Sequence, residues 1–174
     1  IHQIALHGND TPGGRRTLLD QKVYDIKFAN IQGKMPAEFI NVGQKTSIRK
    51  GIDVLKRNEI LLFPPTGRGG LEWVKVRLMN RTALLNTGAV KLGMMTGAAL
   101  IPVFVVHGKP FARLIIEKTL EVKDKSVEEV LQEYADIFSR YVEEYPHHFG
   151  NYLLEMAINS HWDDHPFFAS EEGR

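Results

Sequence analysis

Residues 60–70 read Ile60-Leu61-Leu62-Phe63-Pro64-Pro65-Thr66-Gly67-Arg68-Gly69-Gly70, an apolar run that passes directly into a turn rich in glycine and proline. The apolar run predicts a buried strand over 60–63, because short apolar segments bounded by turn residues are typical of strands. Glycine lets backbone N–H groups approach a ligand, and the Arg68 guanidinium is a permanently charged fork that suits phosphate oxygens. The stretch therefore predicts an anion site at a strand end. The alternative is a solvated arginine in a surface loop.

Length and composition restrict the class of protein. The chain has 174 residues, enough for one domain with a substantial core, and its formal net charge is +1. This balance does not favour nucleic acid as a partner. The chain has no cysteine, which excludes disulfides and fits a reducing compartment, so we expect a cytoplasmic protein. No window reaches the roughly 18 apolar residues of a membrane span, so we expect any membrane contact to be peripheral.

Upstream of residue 60, the sequence predicts alternating strands and helices. We expect strands over 3–7, 23–28 and 38–42, and a helix over 15–22. Over 46–57, apolar residues recur at three- and four-residue steps, which predicts an amphipathic helix. Its basic outer face is either solvated or lies against acidic headgroups or an acidic acyl carrier protein. That face consists of Arg49, Lys50, Lys56 and Arg57.

Downstream of the turn, residues 72–79 fit either a strand or a surface loop. We expect a helix over 84–96 ended by Gly97, a central strand over 100–106 and an edge strand over 113–122.

A long amphipathic helix is predicted over 125–145, where Ser126 and Glu129 have the spacing of a capping box. A short helix is predicted after Pro146. Together the elements predict an α/β domain over residues 1–158, with a mixed central sheet flanked by helices. Residues 159–174 are predicted to be an aromatic, acidic tail.

The order of these elements resembles the lysophospholipid/glycerolipid acyltransferase superfamily, which includes the bacterial lipid A acyltransferases. In that superfamily F-P-E-G-T-R closes a strand, a glycine-containing helix follows, and a V-P-I-x-P-V-like strand comes next. The corresponding stretches here are residues 63–70 and residues 88–103, GAVKLGMMTGAALIPV. Residues 145–152 resemble the aromatic segment near the end of lipid A-type members. The resemblance covers about residues 1–158.

The resemblance implies transfer of a fatty acyl group from a carrier thioester to a hydroxyl or amine of a lipid or glycolipid. The implied donor is acyl carrier protein or coenzyme A carrying the acyl group, with no bound cofactor and no metal. The implied location is the inner face of a membrane, in peripheral contact with it. The implied site residues are Thr66, Gly67, Arg68 and Arg77 for a substrate phosphate, and Phe104 and Val106 for an acyl groove.

The sequence departs from the superfamily pattern at the catalytic motif, so no residue is assigned as catalytic. The superfamily uses His followed by four residues and then Asp or Glu, because a base must take the proton of the acceptor hydroxyl. None of the seven histidines meets that spacing. Pro65 also stands in place of the usual Glu, and Asn41-Val42 in place of the usual Asp-Arg, so one phosphate-binding arginine is missing.

Two hypotheses follow from the missing motif. Either the catalytic pair lies upstream of Ile1 and the domain here lacks its N-terminal part, which we favour, or the chain is a non-catalytic relative. Such a relative would bind an anionic lipid or a partner protein. A third class, a domain that binds a nucleotide or sugar phosphate, is less favoured, because the chain has neither G-x-x-x-x-G-K-[ST] nor G-x-G-x-x-G.

Overall fold

The computed structural model describes residues 2–5, 18–34, 38–41, 46–64, 72–158 and 167–169. Helices and strands are mixed along the chain, as an α/β protein requires. In chain order the elements are β1 (His2–Ala5), α1 (Leu18–Lys34), β2 (Glu38–Asn41), α2 (Ser47–Lys56), β3 (Leu61–Leu62), β4 (Trp73–Leu78), β5 (Arg81–Asn86), α3 (Gly88–Thr96), β6 (Val103–Val106), β7 (Arg113–Ile116), α4 (Val127–Glu144) and α5 (Pro146–Ile158).

The first three strands form a parallel sheet in the order β2-β1-β3. Ala5 at the end of β1 is level with Asn41 at the end of β2, and Gln3 is level with Leu62 of β3. Parallel neighbours need a crossover connection. In sequence, α1 lies between β1 and β2, and α2 lies between β2 and β3. The carboxyl ends of the three strands therefore share one edge of the sheet.

The strand predicted over 23–28 is wrong, because these residues lie inside α1. Their apolar and polar residues nearly alternate, as in a strand, but parallel pairing of β1 with β2 requires a crossover, which a helix supplies. The strand predicted over 38–42 is confirmed as β2, and the helix over 46–57 as α2. Of the strand predicted over 3–7, residues 3–5 lie in β1. Of the helix predicted over 15–22, residues 18–22 lie in α1, and residues 15–17 lie outside the described residues.

The strand predicted over 60–63 is present but shorter, and its burial was overestimated. β3 contains only Leu61 and Leu62, and both Ile60 and Leu62 are exposed. The physical reason is position, since β3 is an outer strand of the three-stranded sheet. Leu61 and Phe63 are half-buried and pack against a small cluster around Val54.

Residues 72–79 form a strand rather than a loop. β4 pairs antiparallel with β5 through a turn at Met79 and Asn80. Met79 has φ of 53°, which tight two-residue hairpin turns use. The pairing corrects the helix predicted over 84–96, because residues 84–86 belong to β5 and α3 begins at Gly88. Its predicted end is confirmed, with Gly97 at φ of 71°.

A single mixed central sheet, as predicted, is not formed by the part of the chain that the structure describes. Instead, β4–β5 and β6–β7 are separate antiparallel hairpins beside the parallel sheet. β6 begins only at Val103, after Pro102, which has no N–H to donate to a strand partner. β7 ends at Ile116 rather than at residue 122. Among the described strands β6 pairs with β7 alone, so its predicted central position is also wrong.

The long helix α4 lies at the centre of the main hydrophobic core. Ser126 Oγ accepts the Glu129 N–H at 3.2 Å, and the Glu129 carboxylate accepts the Ser126 N–H at 2.7 Å, so the predicted capping box is confirmed. α4 contacts β4, α3 and α5. Its buried residues are Val130, Leu131, Ala135, Phe138, Tyr141 and Val142. The helix predicted after Pro146 is confirmed as α5.

Three residues of the segment predicted as a tail are packed against β5. The Leu84 N–H donates to Phe167 O at 2.7 Å, and the Ala169 N–H donates to Thr82 O at 2.9 Å. The rings of Phe167 and Phe168 are both buried in the main core. The chain therefore returns to the domain after α5, and residues 167–169 contribute to its core.

Candidate functional site

The strand that precedes the predicted phosphate turn, β3, ends at an edge of the parallel sheet where ligands commonly bind. In open α/β sheets, ligands lie beyond the carboxyl ends of the strands, where the strand order reverses direction. Here β1 is followed by β2 on one side and by β3 on the other, so that point lies between the ends of β1 and β3. In sequence, residues 63–70 follow directly after β3.

The residues that flank the segment 65–71, Phe63 and Glu72, both contact the start of α3. On one side, the Phe63 ring lies against Gly88, such that a Cβ on Gly88 would be 2.8 Å from Phe63 Cζ. On the other side, Glu72 O accepts the Thr87 N–H at 3.1 Å and lies 3.4 Å from Thr87 Oγ1. The Glu72 carboxylate also forms an ion pair with Lys91 of α3. The described residues on both sides of the glycine-rich segment thus lie beside one helix terminus.

The start of α3 has the polarity that an anion requires. The first N–H groups of a helix have no intrahelical acceptor, and the helix dipole makes this end positive. Asn86 Oδ1 accepts the Gly88 N–H at 2.7 Å, which fixes the first turn. Asn86 and Thr87 are buried polar residues. The N–H groups of Ala89 and Val90 follow in the same turn.

Thr66, Gly67 and Arg68, the predicted phosphate ligands, lie outside the described residues, so their role stays a prediction. The structure instead shows the residues that fix the two ends of their segment: Phe63, Glu72 and Thr87. Sequence reasoning missed Asn86 and Thr87, because it placed residues 84–87 inside a helix. An Asn-Thr-Gly sequence before an apolar run is itself a helix-start signal.

Arg77, the fourth predicted phosphate ligand, lies in β4 with an exposed side chain. Its backbone is held by α4, because its N–H donates to Gln132 Oε1 at 2.8 Å and its O accepts Gln132 Nε2 at 2.9 Å. Trp73, which follows Glu72, is the first residue of β4, and Arg77 comes four residues later. At the rise of an extended strand, Arg77 lies roughly 13 Å from Trp73 along β4. The structure does not bring the Arg77 backbone to the start of α3, and its contact with a phosphate stays a prediction.

Phe104 and Val106, the predicted acyl-groove residues, lie in the main core and are 5% and 1% exposed. The Phe104 ring stacks on Tyr141 with 4.1 Å between ring centres. The ring of Phe149 approaches Phe104 edge-on at 6.4 Å. The Tyr141 hydroxyl donates to Glu117 at 2.6 Å, and this bond raises the pKa of Tyr141 to about 12. Side chains of this domain therefore surround both residues.

Histidines meet where β6 ends and α5 begins. His148 Nε2 accepts the His107 backbone N–H at 2.7 Å, which requires an unprotonated Nε2. Desolvation, together with the neighbouring His147 and His107, lowers the pKa of His148. Nearby, the Arg113 guanidinium donates to the Tyr145 hydroxyl at 2.8 Å. These contacts join the β6–β7 hairpin to the start of α5.

We expect the stability of the domain to fall as His148 becomes protonated. Its pKa is lowered from the usual 6.5 in the folded state, so the unfolded state binds more protons once the pH falls through 6.5. Stability linked to His148 is therefore present above pH 6.5 and is lost as the pH falls through the lower folded pKa. His148→Gln keeps an acceptor that does not titrate, so its urea midpoint should depend less on pH than that of the wild type. An identical pH dependence of the two midpoints would contradict the assignment.

Among the described residues, no group of three or more His, Asp or Glu side chains is arranged to hold a metal ion. None of the described helices has the length and apolar character needed to cross a membrane. A scan against protein-family models and a search of curated proteins both find no match to this chain.

Proposed function

We propose that this domain takes part in the transfer of a fatty acyl group from a carrier thioester to a lipid or glycolipid acceptor. Its contribution is to hold a phosphate of the donor or acceptor at the segment 65–71, with Arg68 as the charged ligand. The donor is acyl carrier protein or coenzyme A carrying the acyl group. In the proposal the domain works in peripheral contact with the inner face of a membrane, where a lipid acceptor is available.

One observation supports the proposal most directly: Phe63 and Glu72, which flank the glycine-rich segment, both contact the N-terminus of α3. Backbone N–H groups at a helix start attract anions, and glycine in the adjoining loop lets further N–H groups approach. The guanidinium of Arg68 then supplies a full positive charge with bidentate geometry. In sequence the segment follows β3, and β3 pairs with β1 where the strand order reverses, a point at which α/β sheets commonly bind ligands.

A second function has its own supporting observation. No histidine among the 174 residues is followed at the required spacing by a carboxylate, so this chain offers no general base of the expected kind. The same phosphate site would then serve a non-catalytic module that binds an anionic lipid or a partner protein. Both functions predict phosphate binding at Arg68, and they differ in whether acyl transfer occurs.

The experiment is a calorimetric titration with lysophosphatidic acid, a soluble lipid that carries one phosphate. Arg68→Gln should weaken binding by about tenfold or more, because a charge-assisted hydrogen bond contributes about 1.5–3 kcal/mol. Arg140→Gln is the matched control, since Arg140 is an exposed arginine on α4, 3.6 Å from Glu117. Equal affinity of the Arg68 variant and the wild type would refute the phosphate site.

Acyl transfer is measured separately, with the protein as its gene encodes it and with acyl carrier protein and coenzyme A donors. Product formation that Arg68→Gln reduces would support the enzyme. Phosphate-dependent lipid binding without product would support the binding module. Saturable nucleotide binding in place of lipid binding would contradict both.

A further inference from the structure

The outer face of the β6–β7 hairpin is an exposed apolar surface. The hairpin register pairs Val103 with Ile116 and Val105 with Leu114, and all four side chains point away from the core. Phe111, in the connection between the strands, is 80% exposed. Soluble domains rarely expose a contiguous apolar patch without a binding role. We call these five residues the hairpin face.

Basic side chains accompany the hairpin face. Lys109 precedes Phe111 in the connection, and Lys118 follows the end of β7; both are exposed. The one acid of this stretch, Glu117, accepts the Tyr141 hydroxyl at 2.6 Å and lies 3.6 Å from the Arg140 guanidinium. Its charge is thus directed toward α4. The hairpin face combines apolar side chains with a positive rim.

We propose that the hairpin face docks on an anionic lipid bilayer, with Phe111 inserted at the level of the headgroups. Apolar side chains gain free energy by entering the boundary between headgroups and acyl chains, while flanking lysines are attracted by anionic lipids. The positive rim favours a bilayer over a neutral protein surface. This inference extends the proposed function, because it names the surface that would meet the membrane holding the lipid acceptor.

The opposite side of the hairpin is well placed to keep the face rigid. Phe104 and Val106 are buried in the main core, where the Phe104 ring stacks on Tyr141 of α4, and the Arg113 guanidinium donates a hydrogen bond to the hydroxyl of Tyr145, just before α5. The exposed pairs therefore stand on strands whose other side is fixed by the core. The face does not need to fold on binding, so we expect little ordering cost to oppose docking.

The test is co-sedimentation with vesicles of phosphatidylcholine, with and without phosphatidylglycerol, in the absence of any acyl donor. We expect the wild type to bind the anionic vesicles. Phe111→Ser should lower the partition coefficient about tenfold, since a buried phenylalanine contributes about 1.5–3 kcal/mol. Lys109→Gln together with Lys118→Gln should lower it by about thirtyfold at low salt, because each lysine near an anionic surface contributes about a fivefold factor.

Two control variants make the test specific to the hairpin. Leu154→Ser removes an exposed apolar side chain of α5, and Lys50→Gln removes a charge from the basic face of α2. Neither should change the partition coefficient. A loss confined to Lys50→Gln would overturn the proposal in favour of α2, and no binding by the wild type would overturn it outright.

Two further outcomes keep the proposals separate. If the protein dimerises in solution and Phe111→Ser makes it monomeric without affecting vesicle binding, the hairpin face is an interface between copies and the proposal fails. Phe111→Ser should leave the affinity for lysophosphatidic acid unchanged, because Phe111 lies in the connection between β6 and β7 and is not part of the proposed phosphate site. Loss of lysophosphatidic acid binding therefore tests the phosphate site, and loss of partitioning tests the hairpin face.

Discussion

Replacing Phe104 by alanine is expected to destabilise the domain by about 3–5 kcal/mol, the usual cost of removing a buried aromatic side chain. The ring is 5% exposed and stacks on Tyr141, with Phe138 at 6.2 Å and Phe149 edge-on at 6.4 Å. No single neighbour can fill the space, because these rings are held on two different helices, α4 and α5. A loss of this size is a large share of the 5–15 kcal/mol that stabilises a typical domain.

Val105→Ala is the matched control for Phe104→Ala. Val105 is the next residue of β6, in the same hairpin, but its side chain points outward and is exposed. We expect a change of about 0.5 kcal/mol or less, since an exposed site loses little burial. Urea denaturation of both variants, with circular dichroism as the readout, measures the difference.

The same pair of variants tests the acyl-groove prediction. If Phe104 lined an open groove, its truncation would cost little, and a fatty acid would stabilise the wild type more than the variant. A loss of stability of about 0.5 kcal/mol or less for Phe104→Ala, as at an exposed site, would therefore contradict the packing described here and favour the groove. A large cost without any effect of fatty acid would assign Phe104 to the core.

The helical half of the fold was largely predictable from sequence. The apolar spacing of α2 and α4 and the capping box at Ser126 are local features, and all three are found as predicted. Strand pairing was less predictable, because it depends on partners distant in sequence. Residues 23–28 have a strand-like pattern yet form part of a helix, since the parallel neighbours β1 and β2 require a crossover.

The anion site at Arg68 stays a prediction, whereas the described residues beside it could be compared with the sequence-based expectation. A glycine-rich turn with one arginine after an apolar run pointed to an anion, and the strand preceding it is present. Asn86 and Thr87 were not found, because Leu84 and Leu85 continue an apolar pattern that suits a helix as well as a strand. Only pairing with β4 shows that the chain is extended there and that α3 begins at Gly88.

Gly108→Ala is expected to disrupt the connection between β6 and β7. A Cβ at this position would lie 2.2 Å from the backbone O of Phe111, a separation that real structures do not contain. The obstacle is backbone, so a side-chain rotation cannot relieve it and the turn must open. Overpacking of this kind costs about 1–3 kcal/mol, and sometimes more. We expect a lower urea midpoint and faster hydrogen exchange at the amides of β6 and β7.

Gly150→Ala is the control that separates a clash from a general effect of alanine. Gly150 lies within α5, where an added Cβ meets nothing within 4 Å. Alanine should stabilise this helix by up to about 1 kcal/mol, because glycine is a poor helix former. The two identical substitutions should therefore change stability in opposite directions. A Gly108→Ala variant as stable as the wild type would contradict the expected clash between its Cβ and the backbone O of Phe111. Because the turn presents Phe111, Gly108→Ala should also reduce partitioning into anionic vesicles, whereas Gly150→Ala should not.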